Sequence, residues 1–173
     1  RKVAHDVRGP IAGIIGVVDL LRDNIESGNQ ADTDGLLRLI ENSGEGVLEL
    51  AESILSEDKA TDEDFNCRIL AEKNQQLYAP QALSKDIKLV VEHSDDPERP
   101  QYFAPKSLLQ ITGNLVNNAI KFTPEGGKVS VHCTIERNDD DDYLRVAVED
   151  NGVGMSAERI DEILQGQAES KVG

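Results

Sequence analysis

The stretch QITGNLVNNAIKFTPEGG, residues 110–127, decides how the second part of this chain folds. Pro105 precedes it, and apolar residues recur at helical spacing as far as Phe122, so the sequence predicts a helix over residues 105–122. The other faces of this helix carry apolar residues: Leu108, Leu109, Ile111, Leu115, Val116, Ala119 and Ile120. One polar face remains, with residues at intervals of four, four and three: Gln110, Asn114, Asn118 and Lys121.

That polar face is a candidate binding surface. Carboxamide oxygens on one helix face can hold a hard cation, and a lysine one turn further along can meet phosphates beyond it. The alternative is an ordinary solvated face. In a chain this acidic, however, such a face is expected to carry charged residues rather than amides, which favours a site.

The sequence around this helix predicts an α/β layer. Alternating apolar and polar residues predict a strand in DIKLVVEH (86–93), and two more in GGKVSVHCTIER (126–137) and YLRVAVED (143–150). The acidic turn between the last two indicates a hairpin, and a short helix is expected after the N-cap Ser156. Together with a helix around residues 69–82, this pattern favours an α+β layer over a doubly wound sheet.

The end of the last strand carries a second candidate site. In VAVEDNGVGM (146–155), Asp150 is followed by Gly152 and Gly154. An acid at a strand end can accept an exocyclic amine, and the glycines leave the backbone open to a ligand. A plain turn has the same D-x-G-x-G pattern and is the alternative.

The N-terminal stretch AHDVRGPIAG (4–13) belongs to a helix with one apolar seam. The seam residues recur at spacings of three and four: Val3, Val7, Ile11, Ile14, Val18, Leu21 and Ile25. His5 lies nearly opposite the seam and is expected to face solvent, and Asp6 can accept the proton of one ring nitrogen, leaving the other as a nucleophile. The alternative is an ordinary surface histidine.

Small residues follow the histidine along the same face of this helix. Gly9, Ala12 and Gly16 predict an exposed track that admits close approach of another macromolecule or a phosphoryl donor.

A second helix is predicted from about Asp34 to Leu55, with a wide apolar face. Two helices cannot bury two such faces alone, so a four-helix bundle formed by a homodimer is expected. An acidic, apolar-poor linker, residues 57–66, then separates this helical hairpin (1–56) from the α/β part (67–173).

The composition narrows the possible partners. A net charge of −15 disfavours nucleic acid and anionic membrane surfaces, because both require clustered Lys and Arg. Cys67 and Cys133 stand singly in apolar runs, which predicts buried, reduced thiols. No apolar run approaches the roughly 20 residues of a membrane helix, so no membrane insertion is expected for this segment.

Three segments, in their order and spacing, resemble the transmitter module of a sensor histidine kinase. HDVRGP (5–10) is similar to the family's H-box, NLVNNAIKFTPEGG (114–127) to its N-box, and DNGVGM (150–155) to its first glycine box. The resemblance covers nearly the whole chain. It implies that residues 1–56 are the dimerisation and histidine phosphotransfer helices, and that residues 67–173 are the ATP-binding catalytic domain, with the family's α/β sandwich.

The resemblance also implies roles for individual residues. His5 would take the γ-phosphate of ATP, with Asp6 as general base. Asn118 would hold Mg²⁺, and Asn114 would support the same site. The other implied nucleotide-binding residues are Lys121 near the phosphates, Phe122 beside the nucleotide, Asp150 on the adenine amino group, and Gly152 and Gly154 shaping the pocket.

The partners implied by the resemblance are a second copy of the chain and a response regulator, whose aspartate would receive the phosphoryl group. A cytoplasmic location is implied as well, with membrane anchoring of the full-length protein left open. The rival hypothesis is a non-catalytic, kinase-like partner that regulates another histidine kinase by helical pairing.

The sequence departs from the family's pattern at two points. Members usually continue past a flexible lid to a second glycine-rich box, whereas this sequence ends at AESKVG (168–173), so an incomplete pocket and weak ATP binding are expected. Gly9 stands four residues after His5, where members that also dephosphorylate their partner often carry Thr or Asn. Phosphatase activity is therefore left open.

Overall fold

The computed structural model describes five stretches of the chain, which are residues 7–28, 33–55, 66–94, 105–137 and 142–165. Several parts singled out from the sequence lie outside these stretches: His5, Asp6, linker residues 57–65, the acidic turn 138–141 and the C-terminal residues 166–173. What the sequence predicts for them stays a prediction.

The helices of the described stretches agree with the periodicity of the sequence. In chain order they are α1 (Arg8–Glu26), α2 (Thr33–Leu55), α3 (Cys67–Ser84), α4 (Pro105–Phe122) and α5 (Ala157–Leu164). Asn66, which the sequence placed in the linker, instead caps α3, because its side-chain oxygen accepts a hydrogen bond from the Ile69 N–H at 3.0 Å. Ser156 caps α5 as expected, accepting from the Arg159 N–H at 3.2 Å.

Three strands form one mixed sheet in the described stretches: β1 (Lys88–Ser94), β2 (Lys128–Arg137) and β3 (Asp142–Asp150). The central strand β2 runs parallel to β1 and antiparallel to β3, so the predicted hairpin is confirmed. A parallel pair needs a crossover connection, and α4 lies in the chain between β1 and β2. Its C-terminal end therefore leads directly into the central strand.

The core lies between this sheet and the helices α3 and α4. Alternate residues of β2, Val129, Val131 and Cys133, are fully buried in one cluster with Leu70 of α3 and Ile120 of α4. The arrangement confirms the predicted α/β layering. Both cysteines are buried, as the sequence predicted.

Helix α1 packs more extensively against α3 than against its hairpin neighbour α2. The two backbones approach closely because glycines line the contact. A Cβ at Gly13 would lie 2.7 Å from the Cα of Gln81, and one at Gly16 would lie 2.5 Å from the Cβ of Ser84. The buried residues of α1 are accordingly Gly9, Pro10, Gly13 and Val17.

The expectation of an exposed small-residue track on α1 is therefore wrong. Ala12 is exposed, but Gly9 is buried and Gly16 is half-buried against α3. The periodicity of a helix identifies its apolar seam, but it does not identify the face that a neighbouring helix will contact. Glycines remove the side chains that keep two helices apart, so Gly9 lies against Asn117 of α4 and Gly16 lies against Ser84 of α3.

The close contact at Gly13 predicts a clear effect on stability. We expect Gly13→Ala to lower the free energy of unfolding by about 1–3 kcal/mol, because the new methyl group meets backbone atoms of Gln81, which can move only if the helices separate. Urea denaturation of the purified protein measures this difference.

Gly44 provides the matched control. It lies inside α2, and a Cβ there would meet nothing within 4 Å. Gly44→Ala should therefore stabilise the protein by about 0.5–1 kcal/mol through helix propensity alone. Equal stabilisation by both substitutions would contradict the α1–α3 contact.

Candidate functional site

A buried hydrogen bond between Asn74 and Thr112 fixes the rotation of α4 about its own axis relative to α3. The Asn74 Nδ2 donates to the Leu70 carbonyl at 2.8 Å and to the Thr112 hydroxyl at 3.1 Å. That hydroxyl donates in turn to the Leu108 carbonyl at 2.7 Å. Asn74 and Thr112 belong to none of the sequence motifs, although a polar residue within an apolar helix face is a usable signal of such a contact.

This rotation determines which side of α4 faces outward. Asn118 and Lys121 are exposed, whereas Gln110 and Asn114 are half-buried. Ile111 and Leu115, two of the apolar residues of this helix, are 57% and 45% exposed. The outward side therefore combines amides, a lysine and apolar side chains, which suits a ligand with both polar and apolar parts.

The C-terminal end of α4 meets the loop that follows β3. The Val153 N–H donates to the Phe122 carbonyl at 3.4 Å. A Cβ at Gly152 would lie 2.5 Å from the same carbonyl oxygen and 2.7 Å from the Asp150 Oδ1. Only glycine allows this approach, so Gly152 joins two segments that are far apart in the sequence.

The same loop holds the Asp150 carboxylate at the end of β3. Its Oδ1 accepts a hydrogen bond from the Gly152 N–H at 2.9 Å, and this bond leaves the second carboxylate oxygen for another donor. Asp150 is exposed. Gly154 has a φ of +66°, in the left-handed region that favours glycine, and a Cβ there would meet nothing within 4 Å.

Exposed charged groups lie at this corner and at the start of the helix that follows it in the chain. The Lys121 ammonium lies 5.4 Å from the centroid of the Phe122 ring, which is itself 55% exposed. At the start of α5, the backbone N–H of Glu158 and the Ser156 hydroxyl both stabilise the Glu158 carboxylate, and they lower the pKa of Glu158.

Asn117, beside Asn118, connects α4 to α1 and α3. Its Oδ1 accepts a hydrogen bond from the Gln81 Nε2 at 2.9 Å, and a Cβ at Gly9 would lie 2.5 Å from the same oxygen. Asn117 lies off the polar face of α4 and was not predicted from the sequence. This contact brings the first turn of α1 beside the helix that carries Asn118.

The structure thus brings together five of the predicted site residues and leaves others apart. The residues that meet at the corner are Lys121, Phe122, Asp150, Gly152 and Gly154. Asn118 and Asn114 precede this corner by one and two turns of α4. His5 and Asp6 lie outside the described residues.

Residues 104–172 match the family described as histidine kinase-, DNA gyrase B-, and HSP90-like ATPase. Three bacterial proteins are similar over nearly the whole chain. The autoinducer 2 sensor kinase/phosphatase LuxQ of Vibrio parahaemolyticus is 32% identical over 95% of this chain and 20% of its own length. The sensor histidine kinase GacS of Pseudomonas protegens is 32% identical over 94% of this chain, and the sensor protein TorS of Escherichia coli is 31% identical over 94%; each is covered over 18% of its length. The chain is a histidine kinase homologue.

In this histidine kinase homologue, the ATPase match begins just before α4 and includes β2, β3 and α5. The corner of α4 and the Asp150 loop therefore lies inside the matched domain. The chain spans about a fifth of the length of the curated relatives it matches. None of its helices, within the described stretches, has the length and apolar character needed to cross a membrane.

Proposed function

We propose that this histidine kinase homologue is the core of a two-component sensor kinase. It transfers the γ-phosphoryl group of ATP to His5 and passes it on to an aspartate of a response regulator. The observation that carries the proposal is the contact of Phe122 with Gly152, since it joins the lysine-bearing end of α4 to the Asp150 loop. Nucleotide recognition needs both parts, one for the phosphates and one for the base.

In this proposal the corner binds the adenine and the phosphates by different groups. The second oxygen of the Asp150 carboxylate accepts the exocyclic amino group of adenine, and Gly152 and Gly154 keep the pocket wall free of side chains. Phe122 flanks the nucleotide. The Lys121 ammonium, which is exposed beside that ring, approaches the phosphates.

The residues present also fit a Mg²⁺ ion that is carried by the nucleotide. Mg²⁺ keeps most of its waters and binds few protein oxygens along with the phosphates, so one exposed carboxamide on α4 suffices. Asn118 would hold the ion, and Asn114, one turn earlier, would support the same site. When bound, Mg²⁺ neutralises phosphate charge as the phosphoryl group leaves.

This role of Asn118 is open to a direct test. We expect Asn118→Asp to weaken binding of Mg-ATP by about 10- to 100-fold, because a carboxylate near the triphosphate adds repulsion and replaces the amide at the metal. Calorimetric titration measures the affinity.

The charge-matched control is Gln75→Glu, on an exposed position of α3. This variant should bind Mg-ATP like the wild type. An unchanged affinity in Asn118→Asp would remove Asn118 from the proposed site.

The phosphoryl transfer itself is assigned to His5 and Asp6. An imidazole nitrogen of His5 attacks the γ-phosphorus, the bond to the ADP oxygen breaks, and Asp6 accepts the imidazole proton. The contact of Gly9 with Asn117 supports this assignment, because it holds the turn that follows His5 beside the helix of Asn118.

The proposal includes the domain arrangement and a homodimer. Residues 1–56 would be the dimerisation and phosphotransfer helices, residues 57–66 would contain the linker, and residues 67–173 would be the ATP-binding domain. Exposed apolar side chains on both hairpin helices support a second copy as the partner that completes a four-helix bundle: Ile11, Val18 and Ile25 on α1, and Leu37 and Leu48 on α2. The module would act in the cytoplasm.

Incubation of the full-length protein with labelled ATP and Mg²⁺ tests the function. A kinase incorporates an acid-labile, base-stable label and loses it when response regulators are added. Binding of ATP without any label would favour the non-catalytic partner, and absence of both would overturn the proposal.

A further inference from the structure

Lys85, directly after α3, binds the end of α4 through all three donors of its ammonium group. The Lys85 Nζ donates to the carbonyls of Ile120 and Lys121 at 2.8 Å each, and to the carbonyl of Thr123 at 2.5 Å. A lysine ammonium has three N–H donors, so these bonds use its full capacity.

These bonds complete the C-terminal end of α4. The last carbonyls of a helix have no partner within the helix, and they carry the negative end of its dipole. Lys85 supplies donors and a positive charge for three of them, and the Val153 N–H supplies the fourth, on Phe122. The end of α4 is thus held from one side by Lys85 and from the other by the Gly152 loop.

The backbone around Lys85 is anchored to the same region. The Gly126 N–H donates to the Asp86 carbonyl at 2.9 Å, and the Lys88 N–H donates to the Gly127 carbonyl at 2.9 Å. Asp86 has a φ of +52°, a left-handed conformation that is uncommon for residues other than glycine. The turn after α3 is therefore tied to the turn after α4, and the ammonium lies at a defined position.

We propose that Lys85 is a positioning residue for the nucleotide site. It does not contact the nucleotide. By holding the carbonyls of residues 120, 121 and 123, it sets where Lys121 and Phe122 project and keeps the Phe122 carbonyl in line with Val153 and Gly152. The inference rests on the proposed nucleotide site, and it adds a residue from outside the motifs of that site.

The test replaces the ammonium by an apolar chain of similar length. We expect Lys85→Met to bind Mg-ADP about tenfold more weakly, since loss of the three hydrogen bonds to these carbonyls displaces the corner. The KM for ATP should rise by a similar factor, whereas kcat should change less than twofold. Calorimetry and initial rates on the full-length protein give these values.

Lys88→Met is the matched control. Lys88 is exposed and lies three residues after Lys85. Its backbone N–H donates to the Gly127 carbonyl, and the substitution leaves this bond in place. Lys88→Met should bind Mg-ADP as the wild type does. Lys85→Arg retains the charge and several donors, so it should recover part of the affinity.

Amide hydrogen exchange without nucleotide provides a second, independent measurement. Exchange of the Val153 amide should be faster in Lys85→Met than in the wild type, and unchanged in Lys88→Met. Unchanged Val153 exchange and unchanged Mg-ADP affinity, at temperatures where the variant is folded, would overturn the inference.

If the wild type binds no nucleotide, the proposed function fails, and faster Val153 exchange would still support the positioning by Lys85. Should Lys85→Met fail to fold, the same measurements on Lys85→Arg decide, because a guanidinium cannot meet the three carbonyls with the geometry of an ammonium.

Discussion

His5→Gln is expected to abolish autophosphorylation completely while the protein stays folded. Glutamine keeps a polar side chain at this position but has no nucleophilic ring nitrogen, so no N–P bond can form. The helical periodicity sets His5 nearly opposite the apolar seam, and its loss should leave the seam intact. Incorporation of acid-labile label from ATP measures autophosphorylation. Circular dichroism and the mass of the dimer show whether the variant stays folded.

The chain carries two further histidines that serve as matched controls. His132 lies in β2, where its Nδ1 is 3.1 Å from the Glu92 Oε2, and His93 lies in β1. His132→Gln and His93→Gln should both keep the label. If His5→Gln still took up label on nitrogen, the acceptor would be another histidine, and the assignment of the first helix would be wrong.

Asp6→Asn is expected to slow phosphoryl transfer by about 10²- to 10⁴-fold without changing nucleotide affinity. An asparagine cannot accept the imidazole proton, and a lost general base has an effect of this size. Because Asp6 is proposed to act on His5 alone, the nucleotide corner should be unaffected. Single-turnover rates at saturating Mg-ATP, together with calorimetric titration, separate the two effects.

Asn118→Asp provides the contrast to this prediction. Asn118→Asp should chiefly weaken the binding of Mg-ATP, whereas Asp6→Asn should only slow phosphoryl transfer. Equal losses of affinity in the two variants would contradict the division of roles between the H-box and the N-box.

Most of the secondary structure could be predicted from periodicity. The strand before α4, the hairpin after it and the Ser156 cap all follow from local patterns, and the structure confirms them. These features depend on interactions between residues close in the sequence, or on strict alternation, so neighbouring residues suffice to specify them.

Prediction was weaker for the side of a helix that faces a neighbour. Ile111 and Leu115 are apolar, and their residue type does not show that the buried contact of Asn74 with Thr112 turns them outward. Gly9 and Gly16 were expected in solvent, yet Gly9 lies against Asn117 of α4 and Gly16 lies against Ser84 of α3. In each case a contact between segments far apart in the sequence determined the outcome.

Some residues of the candidate site could be predicted from the sequence, and others could not. Its motif residues were recognisable from type and spacing, because amides on one helix face and an acid before paired glycines are local patterns. Lys85 and Asn117 were not recognisable, since neither belongs to a motif and each acts on groups more than thirty positions away. Their roles depend on how α3 lies against α4.

The sequence by itself determined the elements, their order, the resemblance to histidine kinases and the residues of the motifs. The tertiary structure alone decided that the end of α4 meets Gly152, that Lys85 completes that end, and that glycines of α1 lie against α3. The physical reason is that backbone propensity and side-chain periodicity act over a few residues. The satisfaction of helix-end carbonyls and the close approach of two backbones depend on partners that only folding brings within hydrogen-bonding and van der Waals distance.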